Sequence, residues 1–106
     1  MTSDYKVVLS PSCTDDIESI FEYIAFCLLE PKLAKDIIEE IKNRLVSLSY
    51  MPYRFRQFKD DSSIRVITIK SYIAIYKIDE HTRTVMILRM FHSTQNVEDK
   101  YLIEVN

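Results

Sequence analysis

Glycine is absent from all 106 residues of the sequence. This absence excludes a glycine-rich loop around a nucleotide phosphate, because such a loop needs backbone that approaches the phosphate without a side chain in the way. Two-residue turns with positive φ also favour glycine, so we predict longer loops built around type I turns between the strands. The absence of glycine therefore excludes one class of nucleotide-binding site and limits the types of turn that we expect between the strands.

Only two cysteines are present, Cys13 and Cys27. Both fall in one predicted helix, where a rise of about 1.5 Å per residue places them roughly 20 Å apart. That separation is too large for a disulfide. Together with His81 they also lack the spacing of a metal site. We therefore expect reduced thiols, no metal and no cofactor.

No apolar run approaches the roughly 18 to 20 residues that a membrane span requires. The first ten residues, MTSDYKVVLS, lack the basic and apolar regions of a secretory signal. Reduced thiols and no export signal predict a cytoplasmic protein without a membrane partner. The length predicts a single domain over residues 1–106, because two half-sized cores would each be too small to hold together.

Charge is distributed unevenly along the chain. Residues 12–51 contain four lysines or arginines and eight acidic residues, whereas residues 52–92 contain eight lysines or arginines and four acidic residues. The basic second half is compatible with a polyanionic partner, although the formal charge of the whole chain is −2. An ordinary solvated surface with local variation is the alternative interpretation.

The hydrophobic pattern changes period once along the sequence. Residues 5–9 predict a strand, and a helix follows that begins at Ser12, with Asp15 completing a capping box. A second helix begins at Pro31 and stops before Met51–Pro52, so the two helices form a hairpin. Residues 64–69, 72–78 and 84–91 then predict three antiparallel strands. Residues 97–106 are either a further strand or a tail that docks on a partner.

These elements predict an α+β fold: an N-terminal strand, a helical hairpin and an antiparallel three-strand meander. Both helices are expected to pack on one face of the sheet. The other face would then be open and could collect arginines and lysines from alternating strand positions. Arg65 is expected on that open face.

The ordered set of segments resembles the RelE/ParE superfamily of bacterial toxins from type II toxin–antitoxin modules. The resemblance covers about residues 5–95 and is carried by YKVVLSPSCTDDIESIFEYI, EPKLAKDIIEEIKNRLVSLSYMPYRFR, IRVITIKSYIAIYKID and TVMILRMFHSTQ. It implies a small toxin held inactive by an antitoxin whose C-terminal segment wraps around it. RelE-like members cut messenger RNA on the ribosome without a metal, whereas ParE-like members poison DNA gyrase.

The resemblance also implies where a nuclease would carry its residues. RelE-like nucleases place a key arginine at the position that is Ile73 here, and the tyrosine that follows the terminal histidine is Ser93 here. Ile73 cannot neutralise a phosphate. The sequence therefore favours a gyrase poison; a ribosome-dependent RNase and an inactive interaction module are the alternatives.

Candidate site residues follow from these alternatives, and they leave open whether the protein is an enzyme. In a metal-free nuclease, His92 would be the general acid or base and Arg65 the phosphate ligand. Each also has a structural interpretation. His92 could be a hydrogen-bonded residue at the end of a strand, and Arg65 could form an ion pair with a carboxylate of this chain. The residues expected to bind RNA or a protein target are Arg54, Arg56, Arg89 and Gln95.

Overall fold

The computed structural model describes residues 4–93. Strand β1 is followed by two helices, with a short π-helical turn at Tyr23–Cys27 between them, and then by four strands. The bounds are β1 Lys6–Leu9, α1 Pro11–Glu22, α2 Pro31–Val46, β2 Arg56–Phe58, β3 Asp61–Ile69, β4 Tyr72–Asp79 and β5 Thr84–His92. The predicted further strand or tail at residues 97–106 lies outside the described residues.

One five-stranded sheet has the order β1-β5-β4-β3-β2. Strands β2 to β5 pair antiparallel, and β1 pairs parallel with β5 at the edge. The predicted α+β class, the helical hairpin and the meander of β3, β4 and β5 are confirmed. Strand β2 was not predicted, because its three residues are too few to show a period.

The main core lies between the helices and one face of the sheet. Buried side chains of α1 and α2 meet alternate residues of β3, β4 and β5, as the amphipathic pattern predicts. The buried members are Cys13, Ile17, Ile41, Leu45, Leu48, Ile67, Ile69, Ala74, Tyr76, Ile78, Val85, Ile87 and Met90. Both helices thus pack on one face of the sheet, as predicted.

The opposite face, here called the outer sheet face, is mainly apolar. It carries Phe58, Ile64, Val66, Ile73, Ile75, Leu88 and Phe91. It also carries basic residues, because Arg56 pairs with Val66, Lys77 with Ile64 and Arg89 with Ile75, and paired residues share a face. The expected cations are therefore present on this face, beside an apolar cluster that was not predicted. Arg65 has the same parity as Ile67 and Ile69, so it lies on the helix side, and its predicted position on the open face is wrong.

Helix α1 is capped by Ser10 and not by the predicted Ser12. The Ser10 hydroxyl accepts a hydrogen bond from the Cys13 N–H (3.0 Å) and donates one to the Leu88 carbonyl (2.8 Å). Pro11 then occupies the first helical turn, where its missing N–H costs nothing. One side chain therefore begins the helix and joins it to β5.

Two tight turns differ from the predicted longer loops around type I turns, although the second lies where the predicted strands, 64–69 and 72–78, leave two residues for a turn. Phe58 pairs with Asp61 and Ile69 pairs with Tyr72, so each turn contains only two residues. Their first residues, Lys59 and Lys70, have φ of 53° and 54°. The prediction was wrong here because lysine takes the positive-φ position that glycine usually occupies.

Candidate functional site

Arg65 is bound to backbone carbonyls on the helix side of the sheet. Its Nε donates to the Ser62 carbonyl (2.9 Å), and its Nη1 donates to the carbonyls of Tyr53 and Phe55 (3.0 Å each). The guanidinium also lies 5.1 Å from the centre of the Tyr53 ring. Arg65 therefore fastens the segment before β2 to the sheet.

Arg54 closes the end of the helical hairpin. Its Nη1 donates to the carbonyls of Tyr50 and Met51, and its Nη2 reaches the Ser47 hydroxyl (3.3 Å). Ser47 is the C-cap of α2, whereas Tyr50 and Met51 lie beyond the short 3-10 turn that follows it. Arg54 thus joins the C-terminus of α2 to the chain that follows, and its charge lies near the negative end of the helix dipole.

Arg89 forms an ion pair with Asp16 of α1. Its Nε and Nη2 donate to the two carboxylate oxygens at 2.7 and 3.0 Å, and the Met90 N–H donates to the same carboxylate at 2.9 Å. Strand β1 pairs with β5 only as far as Ile87. Beyond the end of β1, the Asp16 carboxylate therefore accepts the hydrogen bond that a neighbouring strand would otherwise accept from the Met90 N–H of β5.

Arg56 lies on the edge strand β2 and is exposed to solvent. Its guanidinium forms no hydrogen bond or ion pair with any residue between 4 and 93. Of the four predicted binding residues, Arg54, Arg89 and Arg56 are described by the structure, and Gln95 lies outside the described residues. Arg56 is the one of these three whose charge is directed to solvent.

His92 ends β5 on the helix side, beside an open groove of about 640 Å³. Its ring packs edge-to-face on Tyr72, with 5.4 Å between the ring centres. Burial raises the pKa of Tyr72 above its usual value, so its hydroxyl stays protonated at neutral pH. The groove runs between the helical hairpin and the β3–β4 turn and is lined mainly by Tyr23, Ile24, Leu28, Leu33, Lys70 and Met90.

The structure does not bring His92 and Arg65 together. His92 pairs with Tyr72 and Arg65 pairs with Tyr76, on opposite sides of β4. Four residues along a strand and two strand spacings across the sheet separate their backbones by roughly 16 Å. Ile73, at the position of the family's nuclease arginine, points to the outer sheet face instead.

The groove has an exposed apolar rim at the tip of the helical hairpin, which was not predicted from the sequence. Phe26, Leu28, Leu29 and Leu33 are exposed at the tip of the hairpin, and Leu29 is 78% exposed. The signal was available in IAFCLL, where apolar residues continue all around the helix and exceed what one buried face can use. A concentrated patch of this kind is typical of a protein-binding surface.

Two further properties concern only the described part of the chain. Between residues 4 and 93, no cluster of histidine, cysteine, aspartate or glutamate has a geometry that could hold a metal ion. The helices found there are too short or too polar to cross a membrane.

The fold is similar to solved structures of the RelE/ParE class. A chain of the chromosomal ParDE TA system from P. aeruginosa superposes with a TM-score of 0.73 at 14% identity, covering 86% of this chain and 98% of that one. A mutant of the E. coli toxin RelE in the free state gives 0.68 at 12% identity, covering 96% and 97%. The RelBE2 complex from M. tuberculosis gives 0.58 at 21% identity, covering 84% and 98%.

The sequence comparison narrows this class to one family. Residues 7–97 match the family described as ParE toxin of type II toxin-antitoxin system, parDE, and the chain belongs to that family. No curated protein matches the chain significantly by sequence. The predicted type II toxin of the RelE/ParE superfamily is therefore confirmed.

Proposed function

We propose that this toxin arrests growth by poisoning DNA gyrase and that it does not cleave RNA. The observation that carries the proposal is the scattering of the candidate catalytic groups. Metal-free RNA cleavage needs a base, an acid and a cation around one phosphate. Here His92 and Arg65 stand roughly 16 Å apart, and Arg65 already donates to three carbonyls.

The apolar rim of the groove is the surface we assign to the gyrase contact. Its exposed leucines and Phe26 suit a protein target better than a polyanion, whose binding depends on arginines and lysines. Arg56 would add a charged contact from the edge of the sheet. Arg54 and Arg89 would then act indirectly, by holding the hairpin and α1 in place.

A cognate antitoxin is the second partner in this proposal. Antitoxin chains accompany the toxins in the RelBE2 complex and in the archaeal RelE–RelB complex from P. horikoshii, which has a TM-score of 0.64 at 13% identity. Both chains would act in the cytoplasm, which suits the free thiols of Cys13 and Cys27.

Purified gyrase, plasmid DNA and the toxin test this proposal directly. We expect protein-linked DNA breaks after detergent and protease treatment, and we expect Leu29→Glu to abolish them because it places a charge in the apolar contact. Val46→Glu is the matched control: Val46 is 63% exposed but lies at the end of α2, outside the groove. Intact DNA together with cleavage of ribosome-bound mRNA would instead support the nuclease, with His92 as its first residue to test.

A further inference from the structure

Leu29 has a backbone conformation that leucine normally avoids. Its φ is 57°, in the left-handed region, where the Cβ atom approaches the following carbonyl oxygen. Leu29 comes directly after Leu28, the residue that caps the π-helical turn Tyr23–Cys27. Glycine is the usual residue at this position after a helix, because it has no Cβ atom. Leucine is therefore an unfavourable residue for this backbone.

The side chain of Leu29 does not compensate for this strain within the protein. It is 78% exposed, so it buries little apolar surface. Across the turn, the Leu28 N–H donates to the Tyr23 carbonyl at 3.0 Å. The Glu30 N–H donates to the Ile24 carbonyl, also at 3.0 Å. Because these bonds use backbone groups that every residue except proline carries, glycine at position 29 would close the turn equally well.

The other residues with positive φ have an explanation within the fold. Three of them are exposed basic residues in the turns that connect β2 to β5, namely Lys59, Lys70 and Arg83. Met51 is held by Arg54, whose backbone N–H and Nη1 both donate to the Met51 carbonyl, at 3.1 and 3.2 Å. Among residues 4–93, Leu29 therefore has the positive φ that the fold itself explains least.

We propose that Leu29 is the anchor of the target contact and that its left-handed backbone directs the side chain away from the fold toward the target. This inference rests on the proposed gyrase contact and names the residue through which the rim acts. Strained residues that a fold retains are concentrated at functional sites. An anchor whose backbone is already fixed loses less conformational entropy on binding. Phe26 and Leu28, which are 67% and 49% exposed, would surround the anchor and exclude water from it.

Two substitutions separate the side chain of Leu29 from its backbone. Leu29→Gly removes both the side chain and the strain, so we expect an unchanged or higher melting temperature. Leu29→Lys keeps a long side chain and a positive φ, as at Lys59 and Lys70, but ends in a charge. For both variants, we expect the toxin concentration that gives half-maximal DNA breakage with gyrase to rise at least about tenfold.

Met51→Lys is the matched control for these variants. Met51 also has a positive φ, 48°, and is 56% exposed, but it lies outside the groove. We expect this variant to break DNA at the same concentration as the parent toxin. If both Leu29 variants break DNA as efficiently as Met51→Lys, the Leu29 side chain is not the anchor. A clearly lower melting temperature of Leu29→Gly would also overturn the proposal, because the side chain would then stabilise the fold.

Growth arrest after induced expression distinguishes a wrong target from a wrong anchor. If the parent toxin produces no DNA breaks with gyrase, the gyrase target is wrong. Loss of growth arrest in both Leu29 variants, with arrest retained in Met51→Lys, would then still support Leu29 as the anchor for another target. Growth arrest that is retained in all three variants would reject the anchor as well.

Discussion

Arginine side chains stabilise three separate junctions of this fold. Arg54 joins the end of α2 to the following turn, Arg65 joins the segment before β2 to the sheet, and Arg89 joins β5 to α1. Each donates to at least two oxygen atoms, so the planar fork of donors is used where a lysine would make a single contact. Their charges are therefore committed within the protein.

These partners could not be predicted from the sequence. Arg89 and Asp16 are 73 positions apart, and the acceptors of Arg54 and Arg65 are mostly backbone carbonyls, which every residue carries. A basic residue that binds a carbonyl is indistinguishable in sequence from one that binds a phosphate. The list of candidate residues was therefore obtainable from the sequence, whereas the roles of its arginines were not.

The carboxylate of Asp16 should contribute measurably to stability. Asp16→Ala removes the partner of Arg89 and the acceptor of the Met90 N–H, and we expect the free energy of unfolding to fall by about 1–3 kcal/mol. Urea denaturation measures this directly. Asp15→Ala is the matched control, because Asp15 is exposed on the same turn. Equal effects of the two substitutions would show that the ion pair adds no net stability.

Tyr76 offers a test of one buried hydrogen bond. Its hydroxyl donates to the Pro52 carbonyl (2.6 Å), and burial raises its pKa to about 12. We expect Tyr76→Phe to lower the free energy of unfolding at pH 7 by about 1–2 kcal/mol. Tyr72→Phe is the control on the same strand and face, since the Tyr72 hydroxyl has no hydrogen-bond partner between residues 4 and 93.

The raised pKa of Tyr76 also predicts a pH dependence. The folded state keeps this proton above the pKa of the unfolded chain, so the contribution is complete below about pH 10 and is lost as the pH rises toward 12. The decline in stability over this range should be shallower in Tyr76→Phe than in the parent protein. Identical slopes in thermal melts between pH 9 and 11 would contradict the assignment.

At the scale of elements, periodicity predicted the two long helices and three of the five strands within residues 4–93, while the edge strand β1 followed from its β-branched residues. The pattern succeeds where a long element buries one face, as α2 does with Ile41 and Leu45. It failed for β2, which has only three residues, and for the two tight turns, where lysine adopts a positive φ. These features depend on tertiary contacts and not on local preference.

The cap of α1 is the clearest error at this scale and can be tested. Ser10→Ala removes the acceptor of the Cys13 N–H and the donor to the Leu88 carbonyl, and we expect a loss of about 1–2 kcal/mol in stability. Ser12→Ala, two residues further on at an exposed position, should leave stability nearly unchanged. A lower denaturation midpoint for Ser12→Ala than for Ser10→Ala would instead support Ser12 as the cap, as predicted from the sequence.

At the scale of the whole molecule, the sheet separates two apolar surfaces. One is the groove with its exposed rim at the hairpin tip, and the other is the buried outer sheet face. The sequence predicted the class of protein because the ordered set of elements survives at 12–21% identity in the compared structures. The sequence could not indicate which surface binds which partner, because both surfaces are built from the same aliphatic residues.

The gyrase proposal is tested most directly by pulse labelling after tightly controlled expression, with thymidine and methionine incorporation followed in parallel. The proposal predicts an early fall in thymidine incorporation while methionine incorporation continues. An early fall in methionine incorporation, with DNA synthesis continuing, would contradict it and identify the toxin as an inhibitor of translation.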